Sequence, residues 1–178
     1  MKKLLVTLAI LAMASSAMAI TLQIGGGGGI LLPLGDFADA VNLGYGFGGG
    51  ASIGVIPLLN IDVDFGYYLG MKEKTETLLK WKSTMIPITF GASINIIHGG
   101  KFVPYAGGGG GFYLMKAKPE TGDSVSTNKP GIYFGGGIKY FFTDKIALNV
   151  NPKFHVVFVE GAKNMFMTIG GGISYAVM

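Results

Sequence analysis

His155 is the first residue to weigh, because an imidazole beside a hydroxyl can take its proton and make it a nucleophile. It stands in the stretch Asn149-Val150-Asn151-Pro152-Lys153-Phe154-His155-Val156-Val157. No nucleophilic partner for it is evident in that stretch. Without that partner His155 reads as polar interior filling, and no catalytic residue is expected. His98 falls in a turn with no metal-ligand spacing around it, and the absence of cysteine removes thiolate sites. No metal or cofactor is expected. Five glycine runs, at 25–29, 48–50, 107–111, 135–137 and 170–172, invite comparison with phosphate cradles. Such cradles need a strand leading into a helix, and the flanks here are β-prone throughout. Asp62 and Asp64 on one segment, with Lys139 and Lys153 on others, are the remaining candidates. They could relay protons or ions, or simply neutralise one another in a buried polar cluster.

What would position such residues is a set of eight segments, from Ile20 onward, in which apolar side chains alternate with polar residues or glycine. Ile61, Val63, Phe65, Tyr67 and Leu69 share one face of the third segment; Asp62, Asp64, Gly66 and Tyr68 share the other. Along the seventh, Ile146, Leu148, Val150, Phe154, Val156 and Phe158 oppose Ala147, Asn149, Asn151, Lys153 and His155. The second, fourth, sixth and eighth segments alternate in the same way. Glycine runs blur the phase of the first, Thr21–Pro33, and the fifth, Phe102–Lys116. The polar face is too glycine-rich and weakly charged to solvate the outside of a soluble sandwich. The apolar face therefore points outward, and only a closed sheet can carry it through lipid with every backbone group paired. The expected fold is all-β: an eight-stranded antiparallel transmembrane β-barrel with an interior just wide enough to be filled by side chains. Asp62, Asp64, Asn149, Asn151, Lys139, Lys153 and His155 form the expected polar cluster of the lumen. Glycine would relieve strand curvature, with Tyr68, Tyr133, Phe141 and Phe166 as candidates to cover inward glycines.

Composition supports export and membrane residence. Lys2 and Lys3, the apolar stretch Leu4–Ala14 and the small-x-small site Ala17-Met18-Ala19 form a cleavable signal peptide over residues 1–19, leaving 20–178 as the barrel. Mean hydropathy is +0.49 and only 13% of residues are charged, about half the share usual in a soluble domain. All fourteen basic residues are lysines, two of them in the leader, and no clustered basic face suggests nucleic-acid binding.

The connections alternate long and short. Pro57–Asn60, His98–Lys101 and Thr143–Lys145 read as tight turns; Leu34–Leu43, Lys72–Lys82, Ala117–Lys129 and Val159–Asn164 read as loops. With a periplasmic N-terminus, the longer set faces the cell exterior of a bacterial outer membrane. Lys72, Lys74, Lys80, Lys82, Lys116, Lys118 and Lys129 then lie at the level of lipid phosphates, where they could contact lipopolysaccharide.

Pro33-Leu34-Gly35-Asp36-Phe37, Ile86-Pro87-Ile88-Thr89 and Val103-Pro104-Tyr105 running into glycines resemble the small outer-membrane β-barrel (porin-like, opacity-protein-like) family. The resemblance implies a structural, surface-contact or adhesion protein inserted by the barrel-assembly machinery; the inward glycines keep a narrow solute channel as the alternative, and His155 alone carries a third, a lipid A-modifying enzyme. Lipid A 3-O-deacylases, barrels of similar size, use a His-x-Ser pattern that Val157 breaks here. The chain also ends Tyr175-Ala176-Val177-Met178 rather than on the aromatic residue common in such barrels.

Overall fold

The computed structural model describes residues 21–56, 58–72, 81–97, 99–119 and 124–177, with the side chains of 72, 81, 82 and 119 left aside. The leader, Lys74 and Lys80 lie outside the described residues. Eight strands run β1 (Thr21–Leu34), β2 (Gly44–Ile56), β3 (Leu59–Lys72), β4 (Trp81–Asn95), β5 (Phe102–Pro119), β6 (Val125–Phe141), β7 (Ile146–Val159) and β8 (Ala162–Ala176). Each pairs antiparallel with the next, and β1 pairs with β8 to close the barrel. Closure leaves no open edge, as lipid requires.

The two faces fall as the alternation predicts. Phe47, Phe134 and Ile173 are about 60% exposed on the outer wall, in company with Ile61, Val63, Phe90, Leu148 and Val150. A water-facing surface would not carry so continuous an apolar band. The glycine-blurred strands resolve through their partners. Gly25, Gly27 and Gly29 stand opposite Gly50, Gly48 and Gly46 of β2, and Gly27 and Gly29 also oppose Gly172 and Gly170 of β8. Three neighbouring strands thereby form a wall almost without side chains.

Several connections differ from expectation. Leu34–Leu43 is not an irregular loop: it holds a short helix, α1 (Asp36–Ala40), whose Phe37 packs against Phe166 at 6.3 Å between ring centroids. Val159–Asn164 is a two-residue turn, because Gly161 takes φ 71° and lets Val159 pair with Ala162 directly. Ala117–Lys129 is mostly ladder, with Met115 opposite Thr127 and Ala117 opposite Val125. Lys116 and Lys118 thus belong to β5, Lys129 to β6, Lys72 to β3 and Lys82 to β4; none of these five is a loop residue. Polar side chains at strand ends look like loop sequence, yet above the apolar belt water solvates both faces and alternation is no longer required.

Candidate functional site: the lumen and the long-loop rim

The lumen is layered along its axis. Just beneath α1, at the rim of the longer connections, Leu31, Met71, Met85, Tyr113, Val157 and Phe166 meet in an apolar plug, each at most 1% exposed. Phe37 and Val41 close it from above. The plug comes from inward positions of six strands, apolar residues on otherwise polar or glycine-rich faces that only closure of the barrel brings together. Met71 reaches it through a bulge: the β3–β4 register shifts between Tyr68 and Met71, where Gly70 takes φ 84°.

His155 lies directly below. Its Nδ1 is 2.9 Å from the Tyr113 hydroxyl and its Nε2 is 3.1 Å from Thr168 Oγ1. Its ring stacks on Phe166 at 4.6 Å. Either neutral tautomer satisfies both contacts, because each hydroxyl can donate or accept. This histidine is 3% exposed, has both nitrogens engaged and is separated from the long-connection rim by the apolar plug, while its other side lines the cavity below.

The charged layer follows. Lys153 donates to Asp64 Oδ2 at 2.6 Å and lies 5.1 Å from the Tyr133 ring centroid. Lys139 donates to Gln23 Oε1 at 2.9 Å, lies 5.2 Å above the Tyr105 ring and feels the charge of Asp62. Two carboxylates and two ammonium groups leave this layer neutral. Asn149 and Asn151 complete it, so all seven residues singled out for the lumen line one cavity of about 190 Å³. Its far wall is the glycine surface of β8, β1 and β2, and the tyrosines stand across from it. Of the proposed glycine covers, Tyr133 lies over Gly91 and Tyr68 against Gly66. Phe141 instead lines a vestibule of about 800 Å³ at the short-turn rim, to which Gln23 and Lys139 also contribute. Tyr105, on a strand whose phase glycine obscured, covers Gly137.

The chain matches the family model described as "Outer membrane protein beta-barrel domain" over residues 5–176. It belongs to that family. Among solved structures, outer membrane protein OprG from Pseudomonas aeruginosa superposes with a TM-score of 0.68 at 13% identity, covering 89% of this chain and 96% of that one. Neisserial surface protein A gives 0.64 at 16% identity, covering 88% and 97%. Ail of Yersinia pestis, solved with the heparin analogue sucrose octasulfate, gives 0.64 at 15%, covering 89% and 99%. At such identities the likeness concerns the fold. A comparison with curated proteins finds no match.

Outer-membrane barrels of this family sit in a bilayer, and the outer wall here suits one. Tyr140 and Phe142 meet edge to face at 5.1 Å near the short turns, where membrane-interface aromatics are expected. At the opposite rim Lys129 pairs with Glu160 at 2.8 Å. That hydrogen bond, and then the lysine charge, hold the Glu160 carboxyl below its usual range, so the contact is lost as acid protonates it. The pair is too exposed to matter for stability. The lumen pair is another matter. Asp64→Asn would strand the Lys153 ammonium among tyrosines and lower the unfolding midpoint in urea by an amount worth about 2 kcal/mol. That is less than the roughly 3–5 for a fully buried pair, because a third of the Asp64 side chain is exposed. Adding Lys153→Met should recover most of the loss.

Proposed function

We propose that this outer-membrane barrel is non-enzymatic and non-conducting, and that it acts through its long-loop rim, where it contacts lipopolysaccharide or another surface ligand. The observation that carries this is the plug: six side chains and α1 obstruct the lumen at one end, while the vestibule of the polar well lies at the short turns. A molecule entering the vestibule would meet Lys139, the Lys153–Asp64 pair and then a dry barrier. The absence of a hydroxyl two residues beyond His155, and the burial of that ring, weigh against lipid-modifying chemistry. Ail, a structural neighbour, was solved in complex with the heparin analogue sucrose octasulfate, which makes a polyanionic ligand a natural candidate here. The long-loop rim is taken as the cell-exterior face, and a cleaved leader and the barrel-assembly machinery as the route there.

Planar-bilayer recording tests this directly. The wild-type protein should give no discrete conductance steps. A Met71→Gly, Met85→Gly double variant, which removes two side chains from the plug, should give small steps. Steps of equal size in both proteins would favour the narrow-channel alternative, which the 190 Å³ cavity otherwise supports.

A further inference from the structure

We propose that the polar well of the lumen is a binding site for a small, uncharged polyol of monosaccharide size, reached from the short-turn rim past Gln23 and Lys139. The site lies on the far side of the plug from the long-loop rim, and neither reading depends on the other.

One hydrogen bond defines the entrance. Gln23 and Lys139 are the two residues that line both the cavity of about 190 Å³ and the vestibule of about 800 Å³. Their contact at 2.9 Å spans the lumen from β6 to β1, which stand three strands apart around the wall. Turning the Gln23 amide away joins the two spaces.

Beside this neck, hydrogen-bonding groups are short of partners. Gln23, Ser52 and Asp62 stand in one row across β1, β2 and β3, and all three line the cavity. The Ser52 hydroxyl is cut off from solvent and has no partner. Among the described residues Asp62 meets the charge of Lys139 but receives no side-chain hydrogen bond. Lys139 has three N–H donors and one acceptor for them, Gln23. Buried polar groups are normally paired, so a ligand that brings both donors and acceptors to this spot is favoured. Because Ser52 neighbours Gln23 across the strand pair, a turn of the amide that opens the neck also makes room at that hydroxyl.

Three features set the ligand class. Asp62 and Asp64 balance Lys139 and Lys153, so an ion of either sign would leave an unpaired charge away from bulk water; the ligand is neutral. Tyr105 and Tyr133 each already hold an ammonium group against the ring, so hydrogen bonding rather than stacking selects it. A volume of about 190 Å³ falls below the roughly 300 Å³ at which pockets for drug-sized ligands begin, so it is small. Neighbouring hydroxyls answer this inventory, since each can donate to Asp62 and accept from Lys139 or Ser52.

The test uses the full chain folded in phosphatidylcholine nanodiscs and D-glucose as the probe. Binding is read by saturation-transfer NMR, with glucosamine and gluconate as the cationic and anionic counterparts. Glucose should bind saturably and both charged sugars more weakly. Ser52→Ala removes a hydroxyl that holds nothing in place, so it should fold normally and weaken glucose binding by about 10-fold, one hydrogen bond's worth. Gln23→Leu, which sets a branched apolar side chain at the neck, should abolish binding. Absence of saturable glucose binding to wild type, or equal binding by wild type and both variants, overturns the site. Tighter binding of glucosamine or gluconate overturns the neutral assignment. Either failure leaves the reading of the long-loop rim standing.

Discussion

Gly109→Val is expected to prevent the barrel from closing. Gly109 points inward on β5, and a Cβ there would collide with the Phe90 carbonyl oxygen and come within 2.6 Å of Gly91 Cα. Both obstacles are backbone of β4, so no rotamer change relieves them. The strands must separate where their ladder is continuous from Trp81–Pro119 to Asn95–Tyr105. The cost should exceed about 4 kcal/mol, the range in which a single substitution is diagnostic of one mechanism. Refolding into vesicles, followed by the gel shift between folded and unfolded forms, should show little folded protein. Gly171→Ala is the matched control. Its Cβ would point outward and meet nothing nearer than the Asn149 carbonyl oxygen at 3.7 Å, so the variant should fold as wild type does. Equal folding of the two would mean that the close approach of β4 and β5 does not govern closure.

The second large effect is expected of Phe166→Ala. Phe166 is fully buried, stacks on His155, meets Tyr113 edge to face at 5.9 Å and touches Phe37 of α1. Truncation removes one of the two rings, the other being Tyr113, that join the plug to His155. Losses for a buried phenylalanine run at about 3–5 kcal/mol, and neighbours tied into strands cannot collapse to fill the space. The urea midpoint should fall accordingly. His155, protected from diethyl pyrocarbonate in the folded wild type, should become reactive in the variant. A fall in stability with His155 still protected would mean that the plug shields the lumen without Phe166.

How much of this was legible in the sequence follows from which physical rule governed each residue. Where one face meets lipid and the other meets the lumen, period-two alternation is obligatory. Strands such as β3 and β7 were therefore readable residue by residue, and Asp62, Asp64, Lys139, Lys153 and His155 could be assigned inward. Two kinds of feature were not readable. Glycine has no side chain to report its face, so the phase of β1 and β5 waited for their partners, and with it the placing of Tyr105 and Tyr113. The plug was invisible because nothing local says that closure brings Leu31, Met71, Met85 and Val157 together. The extended outer ends of β5 and β6 were misread for a related cause. Above the membrane belt, polar residues satisfy both faces of a strand as readily as they satisfy a loop.

The central claim is that apolar side chains face acyl chains and polar ones face the lumen. The most direct measurement is a spin-label scan along β7 of the cysteine-free chain, one introduced cysteine at a time from Ile146 to Val159, in lipid bilayers. Labels at Leu148, Val150, Phe154 and Val156 should be relaxed by oxygen, which partitions into lipid, and those at Asn149, Asn151 and Lys153 should not, giving a period of two. The opposite phase, or relaxation by a water-soluble paramagnet at the apolar positions, would contradict the account.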